Sequence, residues 1–239
     1  MPHFFIEQDK IKDGFIELNQ SEDFFHLTRA LRAKLGDCIK FIDKNRVVYK
    51  TIIRSIDKKS LRADIISKKT SDRFLKANLC LVQSVLAQDA QNSLVANATQ
   101  TGVCELYPVI SDNSSVSIKN AKTKIPRWEK IAYENFKQCE RADFLKIHPV
   151  STLGEVLRKF DNKNILFFVE KEDNTTFDDA LSDINLKEKI AIVIGPEGGF
   201  SNAEFEYYKN YKKISLTNLI YKAPNAVIAA VSNVVSRIF

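Results

Sequence analysis

At 239 residues, 44% of them hydrophobic and 28% charged, the chain has the composition of a globular protein with room for one large domain or two small ones, and two is the expectation. No window approaches the roughly 18 to 20 unbroken apolar residues of a membrane span, and the scattered Cys38, Cys80, Cys104 and Cys139, with His3, His26 and His148 equally dispersed, signal neither a zinc site nor a Ser-His-Asp triad. The net charge of +6 and pI near 9.0 favour a polyanionic partner, although lysine runs such as Lys58-Lys59 and Lys68-Lys69 are more often solvated faces than contacts.

Met1 to Phe15 contain acidic residues and no basic-then-apolar run ending in small residues, so no secretory signal is expected. Together with unpaired cysteines, this suits a cytoplasmic protein with reduced thiols. Residues 1 to about 68 read as a β-rich module. Ser21 to Leu35 has a helical pattern with Phe24, Leu27 and Leu31 on one side and closes on Gly36-Asp37, as a capped helix does. The runs Cys38 to Ile42, Arg46 to Ile53 and Ser60 to Ile66 follow, separated by turn-prone Asp43-Lys44-Asn45 and Asp57-Lys58-Lys59. They read as consecutive hairpin strands. A small barrel edged by Arg29 and Arg32 can grip phosphates; the alternative is that both arginines are plain surface residues.

Lys68 to Arg73 is polar and without periodicity, and is the predicted linker, giving domains 1–70 and 71–239. Beyond it, Leu79 to Leu86 reads as a strand, Asp89 to Thr101 as a helix ended by Gly102, and Val103 to Ile110 as a strand. That alternation is the grammar of βαβ units. Trp128, Ile131, Ala132, Asn135, Phe136 and Cys139 recur at helical spacing as a packing face, and Ile165 to Val169 forms a further buried strand.

Ile190 to Ile194 is too uniformly apolar for a strand with one wet face, which predicts an interior strand of a mainly parallel sheet. It runs into Gly195-Pro196-Glu197-Gly198-Gly199-Phe200. At the carboxyl end of an open α/β sheet such a loop lines a crevice, and its glycines let a ligand reach the backbone. Ser201 with Glu204 fits a capping box, so the loop is pinned at its far end. Neither common phosphate-binding pattern fits. Phe200 stands where a P-loop needs lysine, Gly-x-Gly-x-x-Gly is absent, and Glu197 would repel a pyrophosphate. The loop therefore suits an uncharged or cationic ligand such as the sulfonium cofactor S-adenosylmethionine, or else it is a tight turn without a ligand. Phe205 to Tyr208 continues the capped helix, Lys213 to Leu216 gives a last strand, and Asn225 to Arg237 a final apolar helix.

These pieces resemble the ribosomal RNA small subunit methyltransferase E family of the SPOUT superfamily, over nearly the whole chain. The strongest anchor is Ile194-Gly195-Pro196-Glu197-Gly198-Gly199-Phe200-Ser201 with Glu204. Arg29, Leu31, Arg32 and Gly36-Asp37, the pairs Gly102-Val103 and Tyr107-Pro108, and Trp128, Lys130, Ile131, Ala132, Gln138 and Arg141 agree in order and spacing. The resemblance implies an α/β fold with an N-terminal PUA-like β-barrel that holds RNA and a C-terminal SPOUT-type domain with a deep trefoil knot. It further implies a homodimer whose subunits share each active site, S-adenosylmethionine as cofactor, and methylation of uridine N3 in the decoding region of 16S ribosomal RNA, as free RNA or in the small ribosomal subunit. By the same analogy Val169 and Glu170, Ile194, Gly195, Pro196, Gly198 and Gly199, and Leu216, Leu219 and Ile220 would wrap the cofactor. No metal is implied.

The chain also departs from the family pattern. Leu216 to Ala226 lacks a glycine, an arginine and a glutamate, with Thr217, Leu219 and Pro224 among the changes. Asn97 and Gln100 replace a lysine and a glutamate, Ala87 a basic residue, and Asn113 an arginine. Three readings follow: an active methyltransferase; an RNA-binding protein of the same fold that has lost turnover; or, against the family-like N-terminal segment, a related SPOUT enzyme with another RNA target.

Uracil N3 is a poor nucleophile while protonated, so such a site must help remove a proton and set the nitrogen in line behind the sulfonium methyl. Alignment of two bound reactants is worth roughly 7 to 11 kcal/mol. Glu197 is a candidate base by position, with the alternative that it accepts from backbone amides. Arg141 is a candidate contact to phosphate or base, with the alternative of a structural ion pair.

Overall fold

A computed structural model describes residues 3–170 and 176–238. The chain divides into two compact units, Met1–Phe74 with Phe136–Asp143, and Leu75–Asn135 with Phe144–Phe239.

In the first unit, strands β1 (His3–Phe5), β2 (Ile11–Lys12), β3 (Phe15–Asn19), β4 (Cys38–Ile42), β5 (Val47–Ile56) and β6 (Ser60–Thr70) form one sheet in the order β1-β4-β5-β6-β3-β2. Only β1 and β4 pair in parallel. Alternation decides which side is buried. Tyr49, Thr51 and Ile53 of β5 point inward while Lys50 and Arg54 are exposed, and Phe4, Ile16, Phe41 and Leu61 complete the core.

Two expectations for this unit need correction. The helix predicted over Ser21 to Leu35 is much shorter. Ser21 caps α1 (Glu22–Phe25) by accepting from the Phe24 amide at 3.1 Å, and a π-helical turn over His26–Ala30 follows. Arg32 then takes a left-handed conformation (φ +50) of the kind that ends helices, while the Ala33 amide donates to Leu27 O, six positions back, at 3.0 Å. Gly36 (φ +85) donates instead to Ile53 O, so Gly36-Asp37 belongs to the turn into β4. The predicted linker is also partly strand. Lys68, Lys69 and Thr70 face Tyr49, Val48 and Val47 across the β5–β6 ladder. Backbone pairing, not side-chain burial, holds them there, so no apolar alternation marked them.

In the second unit the strands are β7 (Leu79–Ser84), β8 (Glu105–Ile110), β9 (Lys146–Ile147), β10 (Ser151–Thr152), β11 (Ile165–Val169), β12 (Ile190–Ile194) and β13 (Lys212–Ser215). The helices are α2 (Gln88–Gln100), α3 (Ile118–Lys122), α4 (Ile125–Cys139), α5 (Leu153–Leu157), α6 (Phe177–Leu181), α7 (Asn202–Tyr207) and α8 (Ala223–Ile238), with the last turn of α4 counted in the first unit. The sheet runs β10-β8-β7-β12-β11-β13, with β9 also on β8, and every pairing is parallel.

Both faces of this sheet are covered, which is why its strands read as continuous apolar runs. Leu79, Leu81, Ile190, Ile192, Leu166 and Phe168 pack with Leu94 and Val95 of α2, Trp128 of α4 and Val227 and Val231 of α8. Cys80, Val82, Ala191, Val193 and Phe167 pack with Leu153, Val156 and Leu157 of α5 and with Tyr208. Strand β12 lies between β7 and β11, with every residue buried on both sides. This places its carboxyl end at the middle of the sheet's rim.

Candidate functional site

Beyond Ile194 the chain leaves the sheet and turns back. The Gly199 amide donates to Pro196 O at 2.9 Å, closing a four-residue turn, and Gly199 sits at φ +67, where a side chain would be strained. A Cβ on Gly195 would lie 3.2 to 3.4 Å from the Phe200 ring, so glycine there admits that ring against the strand end. Phe200 is fixed in turn by edge contacts with Phe167 (5.5 Å) and Phe205 (6.1 Å). Ser201 and Glu204 form the expected capping box at the start of α7, with bonds of 3.1 and 2.9 Å.

Side chains far away in sequence hold the turn from behind. The buried Gln83 amide donates to Gly195 O at 2.9 Å, Asn113 donates to Gly198 O and Gly199 O at 3.3 and 3.2 Å, and Ser201 donates to Asp112 at 2.5 Å. Glu197 accepts from the Ala87 amide at 3.2 Å, the residue just ahead of α2, whose own side chain offers no cap.

The turn forms one wall of a cavity of about 730 Å³ at the carboxyl ends of β11, β12 and β13. Val169, Glu170, Ile194, Gly195, Pro196, Gly198, Gly199, Leu216, Leu219 and Ile220 all line it, as do Glu197, Phe200 and Lys222. Across the cavity, the segment after β13 is held, among the described residues, by one bond to the residue after β11 and by bonds of its own. Thr217 Oγ1 accepts from the Leu219 amide at 2.9 Å, Ser215 Oγ donates to Glu170 O at 3.2 Å, and Leu219 remains 71% exposed. Among the described residues, the charged lining consists of two carboxylates, Glu170 and Glu197, and one ammonium, Lys222.

Residues 74–235 match the RNA methyltransferase domain family, and residues 18–66 match the RNA methyltransferase PUA domain. The chain belongs to the ribosomal RNA small subunit methyltransferase E family. Proteins of that name from Rickettsia conorii and Aquifex aeolicus are 28% and 27% identical to it, over 96% and 77% of this chain and 93% and 80% of theirs. A methyltransferase E structure from Neisseria gonorrhoeae, bound to S-adenosyl methionine, shares the fold with a TM-score of 0.82 at 22% identity over 97% of this chain and 95% of that one. A Legionella pneumophila chain with bound SAM does so with 0.85 at 21% identity, over 99% and 96%.

Against the pattern of the methyltransferase E family, the departures in this chain have local explanations. Asn97 donates to Pro224 O at 2.9 Å and Gln100 to Asn135 at 2.7 Å, so each neutral residue keeps a hydrogen bond and neither position strands a charge. Asn113 bonds the glycine turn itself. For Thr217, Leu219 and Pro224 the loop shows hydrogen bonds, and Lys222 is the one cation among the described residues that line the cavity.

The remaining candidates lie in the first unit. Arg141 is buried and makes a two-pronged pair with Asp143 at 3.1 and 2.9 Å, the geometry of a structural ion pair. Arg29 is exposed with its guanidinium 4.3 Å above the Phe25 ring, and Arg32 is exposed beyond the helix end. Sequence reading missed Gln83 and Asp112 and marked Asn113 only as a departure, because their role exists only through contacts spanning tens of residues or more.

A second polar cluster sits at the opposite, amino-terminal edge of the sheet. Glu105 accepts from Lys189 at 2.7 Å, from His148 Nε2 at 2.6 Å and from Tyr107 at 2.7 Å, and His148 stacks on Tyr107 at 3.9 Å. Burial alone would raise the Glu105 pKa, but these three donors outweigh it and hold it at about 2. Burial, followed by Glu105, pushes Tyr107 to about 12, while burial lowers His148. Among the described residues, no group of three or more His, Cys, Asp or Glu side chains is placed to hold a metal, and no helix is long and apolar enough to cross a membrane.

Proposed function

We propose that the protein transfers a methyl group from S-adenosylmethionine to N3 of a uridine in the decoding region of 16S ribosomal RNA, working as a homodimer through a knotted C-terminal domain. Family membership supports RNA methylation, and the observation that carries the choice of cofactor is the cavity at the glycine turn. Gly195, Gly198 and Gly199 put backbone into the wall beside Pro196, Glu197 and Phe200, and among the described residues Glu170 and Glu197 against Lys222 leave a net negative lining. That charge balance suits a ligand with a sulfonium, an ammonium and one carboxylate and no phosphate. When bound, S-adenosylmethionine supplies an electrophilic methyl carbon.

The residues of this chain then orient and confine. Gly195 to Gly199 offer backbone groups to the cofactor, while Leu216, Leu219 and Ile220 shield it with apolar surface. Glu197, committed to the Ala87 amide, serves the site by shaping the turn. N3 lies on the Watson–Crick edge, so the uridine must leave its pair and stack to reach the methyl. Arg29 and Arg32 are the proposed phosphate contacts of the PUA domain.

Calorimetry with S-adenosylmethionine, followed by mass spectrometry of ribosomal RNA from cells with and without the protein, tests this reading. Methylated uridine present only with the protein is the expected result, and absence of cofactor binding refutes it. The second reading, an RNA-binding protein without turnover, is favoured by Leu219 in place of an arginine and by the engagement of Arg141 with Asp143. Cofactor binding without methyl transfer to small subunits would select it.

A further inference from the structure

We propose that Asn113 is a positioning residue of the methyl-donor site, a donor that sets the geometry of the glycine turn before cofactor arrives. This rests on the function proposed above. Asn113 sits just past the carboxyl end of β8, on a short turn that is itself immobilised. The Ser111 hydroxyl is buried and bonds Ser84 at 2.9 Å, the Ser114 amide donates to Ser111 O at 3.0 Å, and the Asp112 amide donates to Glu204 at 3.2 Å. From that platform the Asn113 amide reaches two successive carbonyls, Gly198 O and Gly199 O, at 3.3 and 3.2 Å.

The two segments are packed to contact. A Cβ on Gly198 would already touch the Asn113 Cβ at 3.4 Å and its carbonyl oxygen at 3.8 Å, so side-chain atoms beyond Cβ have to find room against Asn113. The consequence for the site follows from peptide geometry. In a trans peptide the N–H points opposite the C=O, so anchoring Gly199 O on Asn113 fixes the direction of the Phe200 N–H, and anchoring Gly198 O fixes that of Gly199. Gly195 O is held in the same way by Gln83. The turn's peptide planes are therefore set by side-chain amides before ligand binds, which cuts the ordering cost of binding.

The test uses Asn113→Asp, which keeps the shape but removes the donor, beside Asn113→Ala. Loss of two long hydrogen bonds predicts an affinity for S-adenosylmethionine about 5- to 20-fold weaker by calorimetry, with Asp at least as weak as Ala because its carboxylate faces two carbonyl oxygens. KM for the cofactor should rise in parallel while kcat at saturation stays within about twofold. In the cofactor-free protein the Gly199 amide should exchange faster with solvent in both variants. An Asp variant that binds like wild type, a kcat loss at constant KM, or unaltered Gly199 exchange overturns the proposal. Wild-type protein that fails to bind S-adenosylmethionine overturns the methyltransferase reading instead, and the exchange measurement then decides the role of Asn113 by itself.

Discussion

The turn after β12 and the segment after β13 face the same cavity, yet they are held by different means. Gln83, Asn113, Asp112 and the Ala87 amide reach the first from β7, from the segment after β8 and from the start of α2. The second depends on Ser215 and Thr217 and on bonds within the segment itself, and it leaves Leu219 and Ile220 exposed at 71% and 67%. One wall is thus braced from several elements, and the other, among the described residues, by one bond to Glu170 O and by bonds within the segment. Stiffness that comes from long-range contacts persists without ligand, whereas a locally bonded segment gains most of its order when something covers it.

The largest effect should come from breaking the stiff wall. Gly198→Val drives a branched side chain against Asn113, and overpacking of about 1–3 kcal/mol implies cofactor affinity lowered by up to about 100-fold in calorimetry. Unchanged affinity would mean that the ligand binds elsewhere.

A control at the other edge of the sheet sharpens the contrast. Glu105→Gln strands Lys189 beside a neutral amide and should cost about 1–3 kcal/mol of stability at neutral pH while leaving cofactor affinity unaltered. Because the Glu105 pKa in the folded protein is about 2, below the ordinary 4.5, its contribution is complete above pH 4.5 and disappears as pH falls toward 2. Denaturation of both proteins across that range should show the gap closing in acid.

The locally bonded wall should respond more weakly. Thr217→Ala removes the acceptor for the Leu219 amide and should weaken cofactor binding about 2- to 5-fold. A loss as large as that of Gly198→Val would show that the two walls are equally committed. Smallest of all, neutralising Arg29 or Arg32 should leave the cavity untouched and reduce the salt dependence of RNA binding by about one unit of slope for each arginine that neutralises a phosphate. An unaltered slope would return both to ordinary surface residues.

The sheet and its rim were readable because their signals are local. Apolar runs without alternation marked β11 and β12 at their observed limits, and Ser201 with Glu204 marked the start of α7. The first unit was less legible. The early helix stop rests on Arg32 adopting a conformation usual for glycine, and the end of β6 is a strand of lysines. The bracing of the glycine turn left no trace, since Asn113 and Gly198 are 85 residues apart and nothing in either neighbourhood announces the other.

The position of β12 has a consequence for how the chain is made. It is the shared neighbour of β7 and β11, although residue 190 emerges more than a hundred positions after Leu79, its partner in register. Until it is synthesised, β7 keeps one unpaired edge and β11 has no strand partner at all, since β13 follows later still. A product shortened before Ile190 would then be no smaller version of the domain, but a fragment inclined to associate with its own kind.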